Sequence, residues 1–163
     1  MKQDNKQLII YGGGLLLVYF GVLKPILNKL GVTKSAEDKV VDAQMDKPNS
    51  LNPFSSQFYK SKESQNAGAI LLKRQTAENF AKIIYDAMGV FSDDEAKVYG
   101  VFRALKTQSQ VSFLSDVFQQ MYKTDLLSFL KTGYSQWNPA SGMNADELNV
   151  VIQIVNKLPK YKS

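Results

Sequence analysis

The stretch LIIYGGGLLLVYFGVL, residues 8–23, carries no charged side chain and contains three consecutive glycines. In water each glycine inside a helix costs ~1 kcal/mol relative to alanine. In lipid the alternative is a backbone with unsatisfied polar groups, so a glycine-containing helix persists there and lets neighbouring helices approach closely. The run therefore reads as a transmembrane or membrane-inserted helix marked by Leu8, Tyr11, Gly14, Leu17, Tyr19, Gly21 and Leu23. Residues 8–23 as a helix cover about 24 Å, short of the ~30 Å hydrocarbon core of a bilayer. Ile26, Leu27 and Leu30 extend the apolar pattern, and Lys6 and Lys24 reach head groups by snorkelling. Gly14 and Gly21 fall on one face, where they form a packing groove, and Tyr11 and Tyr19 suit interfacial or interhelical positions. Pro25 removes the hydrogen bond to the Gly21 carbonyl and kinks the helix or ends its membrane-facing part. No small-x-small cleavage pattern follows, which argues for a retained anchor over a cleaved signal. Lys24, Lys29 and Lys34 after the run outnumber Lys2 and Lys6 before it, a margin of one lysine that the amino terminus cancels, so charge fixes no orientation.

Two absences narrow the chemistry of the rest. The chain has no Cys, hence no disulfide framework, thiol nucleophile or thiolate metal site. It has no His, which removes the commonest general base near neutral pH and the commonest zinc ligand. The expectation is a protein that is not an enzyme and carries no cofactor and no metal. The net charge of +5 favours acidic partners or anionic head groups, but the basic residues are scattered, so no nucleic acid is expected.

Residues 33–67 are dominated by polar and charged side chains, with Pro48 and Pro53 as breakers. They read as an extended tether, with a short helix over Ala36 to Met45 capped by Ser35 and carrying Asp38 in its first turn. Within it, NPFSSQFY places Phe54, Phe58 and Tyr59 in a polar neighbourhood. Such side chains need a covering surface, either their own helical domain or another subunit.

Residues 68–163 are helical throughout, with no period-two alternation and so no expected sheet. Ala77, Phe80, Ala81, Ile84, Ala87 and Met88 repeat at helical spacing up to Gly89, a left-handed stop. Ser92 and Glu95 then form a capping box. Val111, Leu114, Val117, Phe118 and Met121 mark one side of a third helix, and a fourth runs from a Thr124 cap to Gly133. A loop follows with the sole tryptophan, Trp137, before a closing helix with Asn144 as N-cap, Glu147 at the third position and Pro159 beyond its end. The expected fold is all-α: an N-terminal membrane helix over 1–32, an extended tether over 33–67, and a compact bundle of about five helices over 68–163.

The order of these signals, from IIYDAMG through LKTQSQ to DLLSFLKTG and NADELNVVIQIVNKL, resembles one annexin-type repeat. The resemblance implies a five-helix fold. Annexins bind calcium and acidic lipids through a Gly-x-Gly-Thr loop. Here the corresponding loop is GVFSDD, with Phe91 and Ser92 in place of the Gly-Thr pair, so no calcium ligand carries over.

The function these features favour is a membrane-anchored structural and interaction protein that links a lipid bilayer to other protein subunits of an assembly. Its expected location is a single-pass position in a bacterial envelope membrane or the internal membrane of a virion. Phe54, Phe58, Tyr59 and Trp137 are the candidate partner-binding residues. One alternative is a lipid- or calcium-dependent membrane-binding module. Another is a cell-wall glycosidase using Glu63, Glu78 or Glu95, since that reaction needs two carboxyl groups ~5–9.5 Å apart.

Overall fold

The computed structural model describes residues 35–88, 94–134 and 142–161, and among them the fold is all-α, with no strand. Seven helices are found there: α1 (Ala36–Met45), α2 (Lys62–Asn66), α3 (Arg74–Ala87), α4 (Glu95–Ala104), α5 (Gln108–Tyr122), α6 (Leu126–Thr132) and α7 (Ala145–Asn156). No helix among the described residues is long and apolar enough to cross a membrane. The expected span, with Leu8, Tyr11, Gly14, Leu17, Tyr19, Gly21 and Leu23, lies outside the described residues, as do Gly89, Phe91, Ser92 and Trp137.

The helix ends follow from local chemistry. At α1, the Ser35 hydroxyl accepts from the Asp38 amide and the Asp38 carboxylate accepts from the Ser35 amide, both at 3.0 Å. At α7 the Asn144 side chain accepts from the Asp146 and Glu147 amides while Glu147 reaches back to the Asn144 amide at 2.8 Å. This is the reciprocal cap expected there. Elsewhere the sequence misplaces the cap. The cap of α6 is Asp125 and not Thr124, its carboxylate accepting from the Ser128 amide at 2.8 Å. A start at Leu126 buries Leu126, Leu127, Phe129 and Leu130 together. The described cap of α4 is Asp94, which accepts from the Lys97 amide.

Helix α5 lies at the centre. It packs most extensively on α3, and also meets α6 and α7, while α4 bridges α3 and α7. Its apolar side, Val111, Leu114, Val117 and Phe118, is fully buried, each side chain worth about 1.5–3 kcal/mol on leaving water. Met121, expected on that side, is 40% exposed. In the last turn Tyr122 takes the inward place by stacking on Tyr85 at 3.8 Å. The other side of α5 is polar, yet Gln108, Ser109, Gln110, Ser112 and Ser115 are buried too.

The cover over that polar side corrects the expected division at residue 67. The compact unit begins at Val40 and runs to the C-terminal end. Most of the stretch read as an extended tether is thus folded onto the bundle. From Pro48 to Ser61 it advances through successive turns, with Leu51, Ser55, Phe58 and Ser61 amides each donating to the carbonyl three residues back. Turns of this kind satisfy the backbone without helical or strand periodicity, so polarity alone resembles an unfolded linker.

Candidate functional site

The arm from residue 46 to 72 is fastened to the bundle by a set of hydrogen bonds as well as by buried rings. Asn52 sets its first bend: its side-chain oxygen accepts from Gln44 Nε2 at 2.7 Å and from the Phe54 amide at 3.0 Å, and its Nδ2 donates to the Gln44 carbonyl. Ser112 of α5 accepts from the Tyr59 amide at 3.0 Å and donates to the Ser55 carbonyl. Ser109 and Ser64 hydroxyls meet at 3.1 Å, and Gln110 Nε2 donates to the Ile70 carbonyl. The C-terminal tail closes the same end. The Gln108 and Ser109 amides, which have no partner within α5, donate to the Pro159 and Lys160 carbonyls at 2.9 and 3.0 Å. Small hydroxyl side chains allow the arm's backbone to approach, and the backbone groups of Ser55, Tyr59 and Ile70 are paired there.

A second fastening lies beside it. Tyr59 Oη donates to the Asp116 carboxylate at 2.7 Å, and Lys60 Nζ pairs with the same carboxylate at 3.1 Å. Burial and the hydrogen bond to Asp116 push the Tyr59 hydroxyl well above its ordinary pKa. For Asp116, burial raises the pKa, but hydrogen bonds from Tyr59 and Lys60 outweigh it and hold the carboxyl below its usual range.

These contacts decide what the expected partner-binding residues do inside the unit. Phe54 and Phe58 are each 1% exposed. Phe54 packs on Phe102 with ring centroids 5.9 Å apart, and Phe58 stacks on Tyr161 at 5.7 Å. Both rings are covered by their own chain, the first of the two surfaces considered for them. Tyr59 is half-buried, edge-on to Phe113 at 5.4 Å. The carboxylates considered for glycoside hydrolysis fall on three helices. Glu63 is on α2, Glu78 is ion-paired with Arg74 at 2.9 Å, and Glu95 opens α4. Among the described residues no three His, Cys, Asp or Glu side chains form a group able to hold a metal ion.

Besides a concavity of about 330 Å³ along the arm at Tyr59, Ser64 and Leu71, two others at the surface of the unit gather polar or aromatic side chains. One, of about 440 Å³, is a polar groove between the arm and the start of α6, lined by Asn49, Asn52, Ser55, Gln57, Gln119 and Asp125 among others. The second, of about 190 Å³, is aromatic and lies where α3, α5 and α6 converge. There Tyr85 stacks on Tyr122 at 3.8 Å with an interplanar angle of 3°, and on Phe129 at 5.3 Å and 13°. Tyr134 stands across this set, 4.5 Å from Tyr85 at 68° and 5.6 Å from Phe129 at 78°. Phe118, fully buried, packs against Tyr122 at 4.9 Å and Phe129 at 5.1 Å. Gly133 directs the chain back, with φ 63° and ψ −150°, a backbone region that side-chain-bearing residues avoid. Tyr134 Oη then donates to the Tyr85 carbonyl at 2.8 Å.

Compared with known proteins, the chain matches no family model, no curated protein and no solved structure.

The aromatic corner was not visible in the sequence. Tyr85, Tyr122 and Tyr134 belong to different parts of the chain, and no spacing rule connects them. Burial, followed by the nearby Tyr85 ring and the Asp86 carboxylate, pushes the Tyr134 hydroxyl up to about 12. Burial and Asp86 also raise Tyr122.

Proposed function

We propose that this protein is a membrane-anchored structural and interaction protein, whose N-terminal segment sits in a bilayer and whose helical head engages other subunits of an assembly. The observation that carries this reading is the uncharged run Leu8–Leu23, followed only a short way along the chain by a compact unit that begins at Val40. An anchor joined closely to a folded head suits a part that holds an assembly at a membrane. In the head, Gln108, Ser109, Gln110, Ser112 and Asp116 are engaged in holding the arm and tail, which favours a scaffolding role over a catalytic one. The setting we favour is a bacterial envelope complex or a membrane-containing virus particle.

The test is fractionation of the full chain followed by gentle detergent extraction. The expected result is membrane association that resists alkaline carbonate, release on deletion of residues 1–32, and extraction as part of a larger complex. Recovery of the full chain in the carbonate-soluble fraction overturns the anchor. Extraction solely as a free monomer overturns the assembly role.

A further inference from the structure

We infer that the polar groove between the arm and the start of α6 is a binding site for a neutral saccharide. The arm lines it with Asn49, Ser55, Ser56 and Gln57, and the helices with Gln119 of α5 and with Asp125 and Ser128 at the start of α6. Both sides are held in place by the fold itself. Asn52, also in the lining, is pinned by three hydrogen bonds to Gln44 and Phe54. The Ser55 carbonyl is taken by Ser112, and Asp125 Oδ1 by the Ser128 amide at 2.8 Å. A site whose walls already stand loses little freedom when it binds. What these bonds leave over is a set of uncharged groups. The side chains of Asn49, Ser56, Gln57 and Gln119 have no hydrogen-bond partner among the described residues.

The lining decides the class of ligand. No lysine or arginine is in it, so phosphate and carboxylate ligands find no counter-charge. Asp125 is the one carboxylate in the described lining, too little to draw a divalent cation out of water. An apolar ligand would cover the free amides and hydroxyls without replacing their bonds to water, which is costly. A primary amide offers an acceptor and a donor side by side, and a hydroxyl offers both on one atom. Such groups answer the adjacent hydroxyls of a sugar ring, each of which also donates and accepts. Met45, 38% exposed, and Leu127 add a small apolar share for the C–H face of the ring. An uncharged peptide carries donors and acceptors too, but peptides are held along sheet edges or in apolar grooves. This groove is polar and borders no strand among the described residues. Its volume of about 440 Å³ lies within the ~300–1,000 Å³ of small-molecule sites, room for a short saccharide. The groove belongs wholly to the unit that begins at Val40, so the inference is independent of the membrane anchor.

The experiment uses the full chain in a polyoxyethylene ether detergent, which carries no sugar and no charge. Maltose, cellobiose and N,N′-diacetylchitobiose are titrated while backbone and side-chain amide resonances are followed by NMR. Glycerol and the uncharged peptide acetyl-Ala-Ser-Ala-amide serve as comparisons. Saturable shifts of the Asn49, Gln57 and Gln119 side-chain amides are expected with at least one disaccharide, and neither comparison should reproduce them. Gln57→Leu and Gln119→Leu alter exposed side chains and should melt with the native chain. Each should weaken binding about five- to tenfold, the loss of one hydrogen bond to the ligand. Gln153→Leu, exposed on α7 and outside the groove, should leave binding unchanged. Absence of saturable shifts with all three disaccharides overturns the inference. So do equal shifts with glycerol or the peptide, undiminished binding by both groove variants, or an equal loss with Gln153→Leu.

Discussion

Ser112 holds two backbone groups of the arm at once, the Tyr59 amide and the Ser55 carbonyl, on a face of α5 that no water reaches. Ser112→Ala leaves both without that partner, and an orphaned buried group costs about 1–3 kcal/mol. The variant should unfold at lower denaturant, with hydrogen exchange at the Tyr59 amide accelerated ahead of that in α3. Equal exchange at that amide in both proteins would show the bond to be dispensable. Asp116 adds a pH dependence. Its folded-state pKa is depressed, so its contribution is present above the unfolded value of about 3.9 and is lost as pH falls through the folded value. Tyr59 is shifted in the opposite sense, upward, so its part is complete below about 10 and fades as pH rises further. Asp116→Asn should therefore lower stability at neutral pH and converge with the native chain in strong acid. Parallel denaturation curves from pH 2 to 7 would contradict this.

At the level of elements, two backbone positions control how helices end. Lys123 closes α5 in the left-handed conformation, at φ 60° and ψ 22°, with its amide bonded to the Gln119 carbonyl. A residue with a Cβ pays about 1–2 kcal/mol there. Lys123→Gly should raise the melting temperature despite losing the Lys123 contact to Gln120, and a lower melting temperature would refute the strain. Gly142 precedes α7 where the chain passes against the end of α6. A Cβ there would run into the Lys131 carbonyl, and the next residue, Met143, bonds to the Leu130 carbonyl at 2.8 Å. Gly142→Ala should part α7 from α6 and destabilise the unit by a kilocalorie or more. A melting temperature unchanged from that of the native chain would show that the two backbones do not need this approach.

For the molecule as a whole, the limits of the folded unit follow from where α5's second face is covered. A fragment beginning at residue 68 lacks Phe54, Phe58, Tyr59 and Ser64, and so exposes Ser109 and Ser112 together with the Phe102 side of the core. A fragment beginning at Val40 keeps all of them. The longer fragment should unfold in one cooperative transition by circular dichroism. The shorter should show little or no cooperative unfolding. Equal cooperativity would mean that the arm is an accessory to an independently stable bundle.

The sequence alone determined the helical class, the five helices from Arg74 to Asn156, and the caps at Ser35 and Asn144. These depend on residues within a turn or two of one another, where periodicity and capping act directly. It also supplied the uncharged N-terminal run. What tertiary structure decided is the fate of residues 46–72 and the aromatic corner. The arm has no period because turns satisfy its backbone and distant serines hold it. Its legible signals were Phe54, Phe58 and Tyr59, bulky rings in a polar stretch that need a cover, and Ser109 and Ser112, small polar side chains at helical spacing that let a second chain segment lie close. The corner joins Tyr85, Tyr122 and Tyr134 only because α3 and α5 pack together and Gly133 turns the chain back. Contacts between residues this far apart in sequence are set by packing, and packing is a property of the folded chain.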